Sequence, residues 1–458
     1  MISNKKSLVF LFLCLIGVSL FCVSDAKFSK NYYCTIDPED REAARNNPHT
    51  RFSLNLAKNP IYKIEETDKE SARKNPDSNF TLGLLQNPEY IVDEKDKKFV
   101  KSNPNTDFAE QISRKPSYKI TSEDKEYLKN NPNTKLSLGL IKSPGFIVTE
   151  ADKDFARNNY STDFAKAIAQ LSKYKIDKVD KQVLYKYSQS KFANGLVQNL
   201  NFKIDKEDKL FARQNLNELV SLLLTQFSTY QVEQEDKIIA RNNADTSFAG
   251  GLSLNGGYKV ELADKELART NINSKFTFGI CLNKNYKVEI EDKKTARENP
   301  DSKFAEAIGR NINYVFDNED RDFILKNSDT EFAKSLTQNA DYKIKKTDKI
   351  FARNNLNSPV SKLAETKSYK ITAKDKITAR ENLNSNFAFS LVMNPQYKIE
   401  NKDKKIARHN LNTRFAEGLI QNPNYELELE DKEIARKNPA SNFAYGLSLK
   451  LLQCGIRQ

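Results

Sequence analysis

The sequence predicts an all-α fold, an α-solenoid of about fifteen 28-residue helix-turn-helix repeats. Three observations predict it. An aspartate returns at an almost constant interval, a lysine or arginine follows it in every copy, and apolar residues keep helical spacing around it. A constant period of this length is typical of stacked arrays, in which each unit buries its apolar face on its neighbours.

We call the recurring aspartates anchors, and they number the repeats 1 to 15 in chain order. The anchors are Asp40, Asp68, Asp96, Asp124, Asp152, Asp180, Asp208, Asp236, Asp264, Asp292, Asp320, Asp348, Asp375, Asp403 and Asp431. Only the step from Asp348 to Asp375 is shorter, at 27 residues.

The first helix of each repeat is predicted to begin three residues before its anchor. That position is usually Asp, Glu or Thr, as in Asp37, Glu65 and Thr121. A cap there places the anchor at the third helical position, where its carboxylate can return a hydrogen bond to the cap backbone. Pro38 follows the cap of repeat 1, at the helical position that tolerates proline best.

An asparagine is predicted to end the first helix. It stands seven residues after the anchor in fourteen of the fifteen copies, and proline often follows it. Asparagine tolerates the left-handed backbone conformation that closes many helices, and proline cannot continue one. The sequence therefore predicts a helix of about nine residues with a left-handed asparagine at its end.

The second helix is predicted to begin at a Ser or Thr ten residues after the anchor. Fourteen of fifteen copies have one there, and Glu218 is the exception. Phe-Ala and then Leu or Ile follow at the spacing of one buried stripe. Because helices this short are marginal alone, they must pack on neighbouring copies. Stacking at the usual helix spacing predicts one elongated domain with a contour of about 150 Å.

A local resemblance suggests an alternative fold. The pattern Phe-Ala-x-Gly-Leu-x-x-Asn-Pro-x-Tyr resembles the helix-to-strand junction of ribonuclease-inhibitor-type leucine-rich repeats. That family implies a leucine-rich-repeat-like α/β solenoid as the alternative fold. Its strand requires regularly spaced leucines, whereas the corresponding residues here are charged, as in Lys63 to Asp68.

The N-terminus is typical of a secretory signal peptide. Lys5 and Lys6 precede an apolar run from Leu8 to Val23, and small residues lie at the expected cleavage site after Ala26. We therefore expect a secreted, periplasmic or cell-surface protein, with an uncleaved anchor as the alternative. The predicted organisation is a signal peptide at 1–26, a lead-in at 27–36, repeats at 37–447 (irregular at 180–230 and 348–375), and a C-terminal cap at 448–458.

Three cysteines remain after the signal peptide, and they lie far apart in the array: Cys34, Cys281 and Cys454. This odd number does not suggest a disulfide framework. Cys281 falls inside a predicted helix and is expected to be a small buried side chain. Cys34 and Cys454 lie near the two ends and could pair between molecules.

Two basic rows run along the array. The cation directly after each anchor forms the first row, and the second lies five residues after the anchor, with Arg in eleven copies and Lys in two. The sequence favours inter-repeat salt bridges, because stacking alone would place like charges side by side. The residues expected in this structural ladder are Asp68, Asp96, Asp236, Asp264, Arg73, Arg157, Arg213, Arg241 and Arg269.

The alternative interpretation is a basic stripe that binds an anionic polymer such as a glycan, nucleic acid or lipid headgroups. The irregular segment 180–230 is in addition expected to bend the array or to form a partner-specific patch. The candidate partner-binding residues are Lys69, Lys97, Lys125, Lys153, Lys181, Lys209, Lys237, Lys265, Lys293, Tyr185, Tyr187 and Glu218.

An aromatic row lies six residues before the anchor. It is filled in all fourteen later copies, twelve times by tyrosine and twice by phenylalanine. Such a row can stack on bases or sugars, but in a solenoid it is more typical of packing between repeats.

Catalysis finds no support in the sequence. The chain has only His49 and His409, and it lacks nucleophile motifs, phosphate-binding glycine loops and metal-spaced Cys/His sets. We therefore expect no enzyme activity, no cofactor, no metal site and no small-molecule substrate.

The expected function is that of a secreted, non-enzymatic repeat scaffold. It would bind an unknown macromolecular partner, most plausibly a protein, along an extended solenoid surface. One alternative is a structural or surface-coat protein that self-associates end to end. The other is the binder of anionic polymer described above, since the formal net charge of the chain is +13.

Overall fold

Every repeat contains two helices at the positions that the capping signals predict. The computed structural model describes residues 35–339 and 342–457, and within these ranges it contains no β-strand. The α-solenoid prediction is therefore confirmed, and the leucine-rich-repeat-like alternative, which requires a strand in every repeat, is wrong.

All but the last of the described helices have seven to nine residues. The first helices are Pro38–Asn46, Glu66–Lys74, Glu94–Ser102, Ser122–Asn130, Glu150–Asn158, Lys178–Lys186, Lys206–Gln214, Gln234–Asn242, Leu262–Thr270, Ile290–Glu298, Asn318–Lys326, Lys346–Asn354, Ala373–Glu381, Asn401–His409 and Leu429–Lys437. The second helices are Arg51–Lys58, Asn79–Gln86, Asp107–Ser113, Lys135–Lys142, Asp163–Ala169, Lys191–Val197, Leu219–Gln226, Ser247–Ser253, Lys275–Leu282, Lys303–Arg310, Glu331–Thr337, Pro359–Glu365, Asn386–Met393, Arg414–Gln421 and Asn442–Arg457.

Local hydrogen bonds explain where the helices begin. In repeat 9 the backbone N–H of Glu261 donates to the anchor Asp264 at 2.7 Å, which is the predicted capping bond. In the second helix of repeat 10 the Ser302 hydroxyl accepts from the Ala305 N–H at 3.1 Å. The same two devices recur along the chain, so each short helix starts at a fixed residue.

The predicted left-handed asparagine at the end of the first helix is wrong. Asn75 has φ −126° and ψ 62°, and no residue of the described ranges has a positive φ. The asparagine acts instead through its side chain, because the Asn75 amide donates to the Ser71 carbonyl at 3.2 Å. The backbone N–H of Asn75 donates to the same carbonyl at 3.0 Å, so the asparagine closes the helix with two hydrogen bonds.

The second helices of neighbouring repeats pack directly on one another. A Cβ added to Gly83 would lie 2.3 Å from the Leu54 carbonyl oxygen, and one added to Gly251 would lie 2.4 Å from that of Leu222. The first helices stand further apart and are bridged by long charged side chains, as between Arg241 and Asp264. The array therefore curves, with the second helices on its inner wall and the first helices on its outer wall.

The curvature closes the array into a ring, because repeat 15 packs on repeat 1. Lys432 Nζ lies 2.7 Å from Asp37 Oδ2, and Arg436 Nε lies 2.6 Å from Asp40 Oδ1. On the inner wall, the Asn59 amide donates to the Leu451 carbonyl at 2.9 Å. The prediction of one elongated domain with free ends is therefore wrong.

The C-terminal segment takes part in this closure. The last helix, Asn442–Arg457, runs without a break through the predicted start of the cap at residue 448. Ser448 accepts a hydrogen bond from Asn55 at 3.0 Å, so the segment covers repeat 1 instead of facing solvent. The surfaces of repeats 1 and 15 that end-to-end self-association would use therefore contact each other within the ring.

The cysteines of the described residues have two different states. Cys454, in the closing helix, is disulfide-bonded and offers no free thiol for a bond between molecules. Cys281 is free and buried, as expected. Cys34 lies outside the described residues, as do the signal peptide and most of the lead-in.

Repeat 12 accommodates its missing residue by a change of helix type. Its second helix, Pro359–Glu365, is a 3₁₀-helix of seven residues. A 3₁₀-helix rises about 2.0 Å per residue against about 1.5 Å in an α-helix, so fewer residues span the same height. The repeat therefore keeps its place in the ring.

Helix spacing sets the size of the ring. If the axes of the second helices lie about 9 Å apart, fifteen of them give a perimeter of roughly 135 Å and a mean radius of roughly 20 Å. Side chains narrow the opening to a radius of about 15 Å, which still exceeds that of a single helix.

None of the described helices is both long and apolar enough to cross a membrane.

The closing junction is expected to depend on its own ion pairs, because no backbone links repeat 15 to repeat 1. Replacing Lys432 and Arg436 by alanine removes both cationic partners of the buried Asp40. Breaking a buried ion pair in this way lowers the free energy of unfolding by about 3–5 kcal/mol. The matched control is K404A with R408A, which removes the same contacts between repeats 14 and 15. Small-angle scattering over a urea series, with the Cys454 disulfide reduced, should show the radius of gyration rising at lower urea in the closure variant.

In the control the chain itself holds the two repeats together, so its ring should open later. Identical urea profiles for the two variants would contradict the assignment of closure to these pairs.

Candidate functional site

The junction between consecutive repeats is built around a buried anchor carboxylate. Between repeats 8 and 9, Asp264 accepts from the Tyr258 hydroxyl at 2.8 Å and from Arg241 Nε at 2.8 Å. The Glu261 N–H donates to its other oxygen. Three donors from two repeats therefore compensate the burial of one charge.

The cation after the anchor completes the same junction. Lys237 donates to the Lys259 carbonyl at 2.8 Å, pairs with Glu261, and lies 5.1 Å from the centre of the Tyr258 ring. One lysine thus contacts a carbonyl, a carboxylate and an aromatic face of the next repeat. Such a cation–π contact adds about 1 kcal/mol or more when it is shielded from water.

The candidate partner-binding lysines lie at these junctions. Eight of the nine contact the following repeat: Lys69, Lys125, Lys153, Lys181, Lys209, Lys237, Lys265 and Lys293. Lys97 pairs instead with Glu94 on its own helix. These side chains are used within the array, and their binding of a partner stays a prediction.

The residues expected in the structural ladder form pairs across the junctions. The ion pairs are Arg45–Asp68, Arg73–Asp96, Arg157–Asp180, Arg213–Asp236, Arg241–Asp264 and Arg269–Asp292. All six anchors in this set have fully buried side chains, so each arginine contacts a carboxylate that is shielded from water.

The junction between repeats 6 and 7 uses different side chains for the same task. Phe202 occupies the tyrosine position and has no hydroxyl, and Tyr185 replaces the arginine. The Tyr185 hydroxyl donates to Asp208 at 2.7 Å, and Lys181 reaches the other oxygen at 2.6 Å. Burial raises the pKa of Asp208, which lacks an arginine partner. One substitution thus compensates for the other.

Tyr187 and Glu218, the other candidates in the irregular segment, also contact neighbouring repeats. The Tyr187 ring stacks on Tyr160 with centroids 3.8 Å apart. Glu218 precedes the second helix of repeat 7 and accepts from the Gln189 amide at 3.0 Å. Segment 180–230 therefore keeps the helix pattern and the junctions of the ring.

The aromatic row is buried. Tyr62, Tyr174, Tyr258, Tyr286 and Tyr397 are almost inaccessible to solvent. Each hydroxyl donates to the anchor of its own repeat, and burial together with that anchor raises the pKa of the tyrosines. The row serves packing between repeats and presents no face on which bases or sugars could stack.

Several of the acids three residues before the anchors pair with two cations from the preceding repeat. Hydrogen bonds from Lys237 and Arg241 lower the pKa of Glu261 to about 2. The corresponding bonds lower the pKa of Glu233 and of Glu400 to about 2 as well. These carboxylates remain ionised under most conditions and hold the junction cations in place.

Apolar side chains form a patch on the inner wall of repeats 7 to 9. Leu219 is 47% exposed and Leu254 is 37% exposed. Leu222, Phe278 and Leu282 share the same open face of their helices and are half-buried. Most equivalent positions elsewhere are polar or charged, but Leu54, Leu82, Leu138, Phe389 and Met393 are apolar and half-buried as well. Among the described residues at these positions, only Leu219 and Leu254 are exposed apolar side chains. We call Leu219, Leu222, Leu254, Phe278 and Leu282 the inner-wall patch.

Sequence reasoning missed both the ring closure and the inner-wall patch. A signal for closure was present, because repeat 1 keeps the acceptors Asp37 and Asp40 and repeat 15 keeps the donors Lys432 and Arg436. In an open array neither pair would have a partner. The patch could not be recognised, because the sequence alone does not tell which helix faces inward.

In the described part of the chain no three His, Cys, Asp or Glu side chains are grouped to hold a metal ion. Comparisons with protein-family models, with curated proteins and with solved structures found no match to this chain.

The compensation between Tyr185 and Phe202 gives a test of the junction. Tyr185→Phe removes the hydroxyl donor to the buried Asp208, and leaving such a group underpaired costs about 1–3 kcal/mol. Adding Phe202→Tyr should restore a donor from the usual position and recover most of the loss. Urea unfolding measures both changes.

The matched control is Tyr187→Phe, which keeps the ring that stacks on Tyr160 and should cost less. The junction model would be refuted if Y185F left the unfolding midpoint unchanged.

Acid should weaken the junctions in a defined window. Carboxylates with a depressed pKa stabilise the folded state above the ordinary glutamate pKa of about 4.3, and this contribution is lost as pH falls toward the folded value. With the pKa of Glu233, Glu261 and Glu400 at about 2, the melting temperature should drop between about pH 4 and pH 2.

Glu261→Gln should reduce this dependence, whereas Glu266→Gln, at an exposed position of the same repeat, should not. A melting temperature that stays constant from pH 4 to 2 would argue against the assigned ion pairs.

Proposed function

We propose that this protein is a secreted, non-enzymatic ring scaffold that binds a protein partner. The repeated helical fold is compatible with such a role, because stacked repeats offer a large, rigid surface of variable residues on a constant frame. In this chain the junction residues are constant and the inner-wall residues vary from repeat to repeat.

The inner-wall patch is the observation that carries the proposal. Contiguous exposed apolar side chains are typical of protein interaction sites. Leu219, Leu254 and their neighbours lie on one side of a central opening of about 15 Å radius, which is wide enough for a helix or an extended chain. The partner that fits best is an amphipathic segment with its apolar side against repeats 7 to 9.

The two other functions expected from the sequence have weaker support. Self-association end to end would require the surfaces that repeats 1 and 15 use to close the ring. Binding of anionic polymer through the junction lysines would require side chains that already pair with the next repeat. Both would therefore compete with contacts of the folded ring.

The test is capture of a partner by the purified ring from extracts of the producing cells and of neighbouring cells, at low and high salt. The variant L219Q/L254Q/L282Q makes the inner-wall patch polar. The matched control L210Q/L262Q/I290Q makes the same change at exposed leucine and isoleucine positions of the outer wall.

We expect one protein that the wild type and the control retain at high salt and that the inner-wall variant loses at least tenfold. Equal capture by all three proteins would refute the inner-wall site. Capture of the ring alone would favour self-assembly.

A further inference from the structure

The two rims of the ring differ in charge. Helices run up and down between them, so all turns within repeats lie on one rim and all linkers between repeats lie on the other. The linker rim comprises residues ten to four before each anchor from Asp68 to Asp431. These positions contain seventeen Lys and Arg against four Asp and Glu. Ten further acids stand three residues before the anchors, at the end of the same linkers, but each of them pairs with the junction cation of the preceding repeat.

The opposite rim has the reverse balance. It comprises residues six to ten after each anchor, with four lysines against seven acids. Because the ring is closed, each rim is a continuous annulus and not a one-sided stripe. Since the junction acids are paired with junction cations, the remaining charge of the linkers is basic, and it lies on one face of the ring.

One position of the linker rim carries much of this charge. Five residues before the anchor, nine of fourteen copies have lysine, among them Lys63, Lys119, Lys175, Lys259, Lys287 and Lys398. All nine are exposed, and within the described residues none of them forms an ion pair. They differ in this from the junction lysines, which are paired and largely covered.

Exposed aliphatic side chains lie between these lysines. Ile91, Ile147 and Val315 replace lysine at the same position, and each is about 70% exposed. Leu200 and Ile312 project from the preceding turn of the linker and are 80% and 81% exposed. No apolar neighbour covers them on this rim, so the annulus combines cations with isolated apolar side chains.

We propose that the linker rim is a docking face for anionic phospholipid bilayers, on which the ring lies flat. Basic residues are attracted to an anionic membrane surface, and aliphatic side chains gain by entering the interface between headgroups and acyl chains. A flat annulus presents all its lysines to a flat surface at once. The acidic opposite rim faces away, so binding is oriented.

Soluble polyanions fit the rim less well. Proteins that bind single-stranded nucleic acid stack its bases on exposed aromatic rings, and the aromatic row of this ring is buried. A soluble polyanion also gives no environment in which Leu200 and Ile312 would be shielded from water. Of these ligands, only a bilayer would contact both the exposed lysines and the exposed aliphatic side chains of the rim. The proposal does not depend on the inner-wall patch.

The test is co-sedimentation of the full ring with vesicles of phosphatidylcholine alone and with about 30% phosphatidylserine, over a range of salt. The charge variant is K259E/K287E. Its matched control is K294E/K405E, which reverses two exposed lysines within first helices on the outer wall. The side chains of Lys259 and Lys287 take no part in the junctions, which use only their backbone carbonyls.

We expect binding to the anionic vesicles alone, weakened at least tenfold by K259E/K287E and by high salt, and unchanged by the control. The second variant, L200S/I312S, should weaken binding several-fold without changing its salt dependence. Its control is L210S/I238S, which changes two exposed aliphatic side chains within first helices on the outer wall.

Two results would overturn the proposal. One is no binding of the wild type to anionic vesicles at about 0.05 M salt, where surface charges are screened least. The other is binding to heparin or single-stranded DNA as tight as to vesicles, with L200S/I312S without effect, which would assign the rim to soluble polyanions. Circular dichroism of each variant separates loss of binding from loss of fold.

Discussion

The structure depends on a buried carboxylate that two consecutive repeats share. Burying an isolated anchor such as Asp264 would be unfavourable, because desolvation of a lone charge is costly. It is stabilised only when its own capping N–H, its own tyrosine and the arginine of the preceding repeat all donate to it. Folding of one repeat therefore requires the next, which explains how helices of seven to nine residues persist at all.

In an open array the two terminal repeats would each lack one of the neighbours that this arrangement needs. A first repeat would bury an anchor without an arginine, and a last repeat would present an arginine without an anchor. The ring removes both defects, because Arg436 pairs with Asp40 and Lys432 pairs with Asp37. The same bonds that join neighbours along the chain also join its two ends, and the longer last helix, Asn442–Arg457, covers repeat 1 on the inner wall.

The sequence predicted the repeats, the helix starts and the residue types at the junctions, because these follow from local capping rules and a strict period. The left-handed asparagine was a wrong prediction, since Asn75 caps its helix through a side-chain bond that propensity rules do not distinguish. The ring could not be predicted from spacing, because curvature depends on how closely the second helices approach at residues such as Gly83 and Gly251. The surfaces we assign to binding follow from that curvature. Leu219 and Lys259 acquire their positions on the inner wall and on the linker rim only when the array closes.

Closure also constrains how this chain can change. In an open solenoid a repeat can be gained or lost at little cost, because each unit touches only its neighbours. Here the fifteen junctions together make one full turn, so neighbouring repeats are rotated by about 24° relative to each other. With one repeat removed, every remaining junction would have to rotate by about 26° to close the ring. The close contacts of the second helices resist such a change all round the ring. Copy number should therefore be inherited as a fixed property, and variation should appear inside repeats, as it does in the shortened repeat 12.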